Sequence, residues 1–367
     1  MFAVMIKASG MGWSRRAAVL TMLLLAAAPA AAEQSATVGV TAERHKGMTF
    51  ASWTRGRYAS AQGEQALAEL AAIGAEWVAI IVTGYQRAGT SRIIRRHSRR
   101  TASDAALIAA IATAHGLGLR VMLKPHVDLE GDAAPGRWLI GTGFTEESQW
   151  ETWFTAYRRF IGHYATLAQE SGVELFAIGT ELAGTTGRED EWREIAQLVR
   201  ERFSGAITYA SNHGGEEVAI TWWDAVDYIG VDAYYPLVDW PHPSVEDLKA
   251  AWVERGHLDT LAGLAERHGR PVLLTEIGYR SARFTAAAPW DHRRDQEIDH
   301  DVQARAYRAV FEVLWDQPWL AGIYWWYWDA DPEIGGEDDS GYSPRGKRAL
   351  GVLEDYYLAA SLEAEHD

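Results

Sequence analysis

Eight short apolar runs, each followed by a stretch with helical periodicity, limit what this chain can fold into more than any other feature. The runs are "GMTFASW" (47–53), "EWVAIIVT" (76–83), "LRVMLKPH" (119–126), "ELFAIGTE" (174–181), "AITYASN" (206–212), "DYIGVDAY" (227–234), "PVLLTEIG" (271–278) and "AGIYWWYW" (321–328). Strand-length runs alternating with amphipathic segments are the signature of strand–helix units around a parallel sheet. Eight such units close most naturally into an α/β (β/α)8 barrel, a TIM barrel, whose chemistry sits on the loops after the strand C-termini. A doubly wound open sheet uses the same units, but no GxGxxG turn follows the first strand to support it.

The segments between the runs carry helix start and stop signals. "SDAALIAAIATAHG" opens on Ser103 and Asp104 and closes at Gly116, and "SVEDLKAAW" opens with capping-box spacing from Ser244 to Asp247. No Pro/Gly/Ser-rich linker, low-complexity tract or internal repeat interrupts residues 40–360, so a single catalytic-size domain is expected from residue 33 to 367. The loops after the seventh and eighth runs are long, and long loops in compact domains are often functional. The loop after the second run holds six arginines between Arg87 and Arg100. It reads as a solvated basic loop, with a substrate-contacting wall as the alternative.

Residues 1–32 differ from the rest. Arg15 and Arg16 precede an apolar run from Ala17 to Ala28, and small residues follow to Ala32. That is the layout of a signal peptide cleaved after Ala32, which predicts a secreted or periplasmic protein. The paired arginines leave a twin-arginine route open. No later segment has the roughly 18 uninterrupted apolar residues of a membrane span. Cleavage would remove Lys7, Arg15 and Arg16 and no acid, taking the formal charge from -15 to -18. An acidic surface argues against nucleic acid and anionic membranes as partners. The absence of cysteine excludes disulfides, thiol nucleophiles, cysteine metal sites and a cysteine-linked lipid anchor. The 17 Trp and 15 Tyr exceed what a core needs, and sugars bind by stacking their C–H faces on such rings.

Two runs end alike: "AIGTEL" places Glu181 at the end of the fourth, and "LLTEIGY" places Glu276 at the end of the seventh. In a closed barrel both carboxylates point into one mouth. A glycosidic bond needs a proton for its leaving oxygen and, on the opposite face, a carboxylate nucleophile or an activated water. A poly- or oligosaccharide is therefore the expected partner.

The chain also resembles a known group, the retaining glycoside hydrolases of clan A and within them the family 113 β-mannanases. The resemblance rests on "LKPHVD" (123–128), "IGTEL" (178–182), "YASN" (209–212), "DYIGVDAYYPL" (227–237), "LLTEIGYRS" (273–281) and "YWWYW" (324–328), one per strand end and in this order. It implies a β-linked poly- or oligosaccharide as substrate, Glu181 as acid/base and Glu276 as nucleophile. Many clan members have Asn directly before the acid/base, where it meets the sugar 2-hydroxyl. Thr180 stands at that position here, and Asn212 at the next strand end is a substitute polar group.

These roles demand different surroundings. Glu181 must be protonated when substrate binds, so burial should raise its pKa, whereas Glu276 must stay ionised and needs donors. Tyr234 is the expected donor to Glu276. Trp326 and Trp328 near the end of the last strand are candidate sugar platforms, with Trp326 preferred, and Trp53 and Trp290 are further stacking candidates.

Lys124, His126 and Asp128 alternate along the third strand and so share a face. They read as a hydrogen-bonding row for sugar hydroxyls, with Asp232 nearby; a structural ion-pair network is the alternative. A metal site from these residues and His213 is disfavoured, since "MTFASW" lacks the ligand pair of metal-dependent barrels. No metal or cofactor is expected. The readings that compete with a mannanase are the same chemistry on another β-glycan, such as a glucan, and a non-catalytic carbohydrate-binding barrel.

Overall fold

The computed structural model describes residues 44–130, 136–294 and 297–363. The predicted leader, residues 1–32, lies outside them. The eight runs form β1 (His45–Ala51), β2 (Trp77–Gln86), β3 (Arg120–Leu129), β4 (Leu175–Thr180), β5 (Ala206–Asn212), β6 (Tyr228–Asp232), β7 (Val272–Ile277) and β8 (Leu320–Asp329). They pair in parallel and in sequence order, and β8 closes onto β1. This is the expected single-domain (β/α)8 barrel.

The helices are α1 (Ala61–Ala72), α2 (Asp104–Gly116), α3 (Glu147–Glu170), α4 (Glu189–Arg200), α5 (Glu216–Ala219), α6 (Val245–Glu254), α7 (His257–His268), α8 (His300–Leu314) and α9 (Arg348–Glu363). Their starts follow the predicted capping chemistry. The Ser103 side chain accepts from the Ala106 N–H at the head of α2. Ser244 and Asp247 form a reciprocal capping box at the head of α6. Apolar faces of the helices pack against the outer faces of the strands as one continuous core that includes Ile80, Leu123, Phe176, Ile207, Leu274 and Trp325.

The barrel interior is layered. Near the N-terminal ends, Trp77, Ala79, Met122, Leu175, Leu273, Ala321 and Tyr324 form a separate apolar plug. Above it, the inward side chains become charged: Lys124, Asp232 and Glu276 are all buried.

Three strands slip register near their C-terminal ends. Between Ala177 and Thr180, β4 uses one residue more than its partner β5. On β7 one extra residue lies between the pairs Val231 with Leu274 and Asp232 with Glu276. On β8 one extra residue lies between the pairs Met48 with Trp325 and Phe50 with Trp328. Such bulges turn the following side chains to a different face.

The β4 exit is crowded. A Cβ on Gly179 would lie 2.7 Å from both the Trp192 and Tyr209 rings, so only glycine fits without moving them. We expect Gly179→Ala to destabilise the fold by about 1–3 kcal/mol, the usual cost of overpacking, read as a lower urea midpoint. An unchanged midpoint would show that the aromatic wall yields freely.

Candidate active site

Glu276 ends β7 among donors. Its Oε1 accepts from Lys124 Nζ at 2.7 Å and its Oε2 from the Tyr234 hydroxyl at 2.8 Å. The Tyr234 bond matches the sequence expectation. Burial, then the Glu276 charge, holds the Tyr234 hydroxyl well above its ordinary range, so it remains a donor. His126 Nε2 lies 3.7 Å from Glu276 Oε1. Burial, with Arg137 and Lys124 as nearby cations, pushes His126 well below 6.5 and keeps its imidazole neutral.

Glu181 follows β4 with φ 51°, a left-handed conformation rare for a non-glycine residue. Its side chain is 15% exposed, and Arg137 Nη1 lies 3.2 Å from its Oε2. The same guanidinium donates through Nε to Asp128 Oδ1 at 2.9 Å, so its charge is shared with a second carboxylate.

Burial pushes both glutamates up from the usual carboxylate range, and each is also raised by a neighbouring carboxylate. The donors divide unequally. Glu276 receives an ammonium and a phenol at hydrogen-bond distance, whereas Glu181 faces one guanidinium already bonded to Asp128. A proton shared by the pair therefore belongs on Glu181, because hydrogen bonds to the charged form favour ionisation.

The row expected on β3 is corrected. Lys124, His126 and Asp128 do share an inward face, but Lys124 is fully buried, its ammonium bonded to Asp232 Oδ1 at 2.8 Å and to Glu276. Asp232 is also fully buried and accepts from Thr275 Oγ1 at 2.7 Å. Asp128 is engaged by Arg137. Lys124, Asp232 and Asp128 are thus held in ion pairs, the alternative reading of the row, whereas the neutral His126 is in none. The cation between Asp232 and Glu276 is the Lys124 ammonium. Among the described residues, no group of three or more His, Cys, Asp or Glu is arranged to hold a metal.

Trp328 is corrected too. The β8 bulge turns it into the core, where it is 2% exposed and lies under Arg345, whose Cζ is 4.4 Å from the ring centroid. Trp326 stays half-buried, edge-on to Trp53 at 6.3 Å. Asn212 is half-buried at the end of β5, with its backbone N–H donating to Glu216. Thr180 is buried, its hydroxyl directed to the Pro125 carbonyl at 3.4 Å.

Four tryptophans are exposed among the described residues: Trp53, Trp138, Trp240 and Trp290. They follow β1, β3, β6 and β7 respectively, so every one belongs to the catalytic end of the barrel. Trp290 leans on His213 at 5.2 Å. Sequence reading found Trp53 and Trp290 but missed Trp138, Trp240 and Arg137, which sit in loops without periodicity; the available signal was their position after a strand end. In the basic loop, Arg87, Arg92, Arg95, Arg96 and Arg99 are exposed, Arg96 pairs with Asp104, and Arg100 lies over the Tyr85 ring at 4.3 Å.

A barrel whose mouth holds two such unlike carboxylates beneath exposed indoles is equipped to cleave glycosidic bonds, and known proteins of the same build make the class firm: glycoside hydrolases. Residues 48–347 match the model of Glycoside Hydrolase Family 113, and the chain belongs to that family. A GH113 β-mannanase from Alicyclobacillus acidocaldarius, solved in complex with ManMIm, is 30% identical with a TM-score of 0.77, over 87% of this chain and 98% of that one. A GH113 β-1,4-mannanase, also solved as a complex, is 26% identical with a TM-score of 0.77, over 87% and 100% of the two chains. The hyperthermostable endo-1,4-β-D-mannanase of Thermotoga petrophila RKU-1 shares the fold at 15% identity and a TM-score of 0.55, over 86% and 100%. No curated protein matches the chain.

Removing the buried ammonium should be costly. Lys124→Met would leave Asp232 and Glu276 facing each other without a cation, with an expected loss of about 3–5 kcal/mol. Chemical denaturation measures it, and a loss below about 1 kcal/mol would mean that the two carboxyls relax by sharing protons.

Proposed function

We propose that the protein is a retaining endo-acting hydrolase of β-1,4-mannan, with Glu276 as nucleophile and Glu181 as acid/base. The observation that carries this reading is the unequal division of donors between two carboxylates at one barrel mouth. The β-mannanase relatives supply the sugar. Exposed tryptophans around the mouth supply stacking surfaces for a chain of several residues.

In the first step a Glu276 carboxylate oxygen attacks the anomeric carbon. The glycosidic C–O bond breaks, and its oxygen takes the proton from Glu181. The sugar is now an ester of Glu276, and Glu181 is a carboxylate. Water then attacks the anomeric carbon, gives its proton to Glu181 and displaces Glu276, so both residues return to their starting states. Lys124 and Tyr234 stabilise the departing carboxylate in the second step and hold the attacking one in the first. Buried His126 beside the nucleophile is neutral and adds no competing charge.

Reducing-sugar release from mannan, glucomannan, xylan and cellulose tests the substrate, and proton NMR of the first-formed anomer tests retention. Glu276→Ala should abolish release. Glu181→Ala should lower it by about 10²–10⁴-fold, the range for general acid–base catalysis, and on a 2,4-dinitrophenyl β-mannobioside, whose leaving group needs no acid, azide should restore turnover as a β-glycosyl azide. Release from cellulose in preference to mannan would move the assignment to a glucan. Binding without release from any of the four would make the barrel a carbohydrate-binding module.

The proton on Glu181 also sets the alkaline limit of activity. Arg137 lowers the Glu181 pKa against the upward push of burial. Loss of that cation raises the pKa, so Glu181 keeps its proton to higher pH. Arg137→Leu should therefore move the alkaline limb of kcat/KM upward; a downward shift would exclude Glu181 as the group titrating there.

A further inference from the structure

The peptide units on both sides of Glu181 are tied to β5. The Glu181 N–H donates to the Ala210 carbonyl at 2.8 Å. The next N–H, that of Leu182, donates to the hydroxyl of Tyr209 at 2.8 Å. Tyr209 in turn donates to Glu216 Oε1 at 2.6 Å, and the other oxygen, Oε2, accepts from the Asn212 N–H at 2.7 Å. Tyr209 is fully buried, edge-on to the mutually stacked Trp192 and Trp222 rings at 5.0 and 5.2 Å. Glu216 is a buried acid whose two oxygens both receive neutral donors.

Glu181 has φ 51°, and of the described non-glycine residues only Phe284 shares that left-handed state. Holding a residue there costs of order 1–3 kcal/mol unless the surroundings over-determine it. The left-handed turn carries the Leu182 N–H off the strand ladder and toward β5. There it needs an acceptor, because a buried unpaired N–H costs about 1–3 kcal/mol. Tyr209 is that acceptor. Burial, with Glu216 as the next cause, holds its phenol well above its ordinary range, so the hydroxyl keeps a proton to give to Glu216 while its lone pair serves Leu182.

We infer that Tyr209, oriented by Glu216, is a positioning residue for the general acid: it fixes the left-handed backbone of Glu181 and so aims the carboxyl at the leaving oxygen. The inference rests on the reading of Glu181 as acid/base. Neither residue touches substrate in this account. Without the Tyr209 hydroxyl, the Leu182 N–H is unpaired, and the backbone relaxes toward the extended region with the carboxyl displaced. The loss falls on proton delivery and spares the nucleophile on β7.

Leaving-group dependence separates this role from a structural one. Cleavage of mannan needs the acid, whereas release of 2,4-dinitrophenolate from its β-mannobioside does not, since that anion departs unprotonated. For Tyr209→Phe, kcat/KM on mannan should fall roughly 10-fold, part of the 10²–10⁴ that a general acid contributes. On the dinitrophenyl substrate it should stay within about twofold, since only the acid is disturbed. Glu216→Gln, which keeps one acceptor oxygen but mismatches the Asn212 N–H, should shift the same ratio in the same direction. It stands in if Tyr209→Phe does not fold.

Tyr157→Phe is the control. The Tyr157 hydroxyl is equally buried and donates to the Ile178 carbonyl of the same strand at 2.8 Å, three residues before Glu181. It should lower the melting temperature and leave the ratio unchanged. Equal losses on both substrates, no loss on either, or a ratio shift in the control would overturn the inference. Normal mannan hydrolysis by Glu181→Ala would instead remove the acid/base reading itself.

Discussion

An ammonium ion with no access to water holds the centre of this barrel together. Lys124 rises from β3 and reaches Asp232 on β6 and Glu276 on β7, so three strands that are not all neighbours share one charge cluster. A buried cation is tolerable only when its partners are fixed at close range. That requirement constrains the register of β3, β6 and β7 at their C-terminal ends. It also defines the depth at which the apolar plug of Trp77, Met122, Leu175, Leu273 and Tyr324 must stop. Above that level the interior is electrostatic, and the Glu276 charge is balanced by protein instead of solvent.

The second constraint is geometric. A regular strand alternates its side chains, so a carboxylate aimed into the mouth fixes the parity of every residue before it. β4, β7 and β8 escape this by inserting one residue each near their C-terminal ends. The apolar parts can then pack their faces on the plug and on the helices, while Glu181, Glu276 and Trp326 are aimed separately. Each insertion sacrifices regular ladder pairing where the chain leaves the sheet, and local ties such as Leu182 N–H to Tyr209 compensate.

This division explains what could be read from the sequence. All eight strands were legible because each has an apolar run of ordinary length, and the caps at Ser103 and Ser244 were legible because capping is local chemistry. The strands β2 and β3 run on to Gln86 and Leu129, three residues past their expected ends. There the apolar signal fades into Gln86 and Asp128, polar residues held by Ala88, Ser91 and Trp153 and by Arg137 respectively. The Trp53 and Trp290 surfaces and the Tyr234 bond to Glu276 followed from position after a strand. Trp328 was misplaced because a one-residue bulge leaves no mark in composition. Lys124 reads as a sugar contact in the sequence because its two acids lie more than a hundred positions away. Arg137 was missed because nothing in "PGRWLIG" shows that it faces Glu181.

The motif that opens the site illustrates the same limit. "GTEL" and "LTEI" are locally alike, each a threonine then a glutamate at the end of a buried strand. Their threonines already diverge: Thr275 donates to Asp232 and joins the charge cluster, while Thr180 turns to a backbone carbonyl on β3. The glutamates then inherit opposite neighbourhoods. Position on β7 brings Glu276 the Lys124 ammonium and the Tyr234 phenol, donors that favour its negative form against the burial that raises both glutamates. Position on β4 gives Glu181 a left-handed backbone and a single guanidinium committed to Asp128, so fewer donors oppose burial there and a shared proton belongs on Glu181. The difference between the two carboxyls is thus made by the strands on either side, in the order in which eight strands close the barrel.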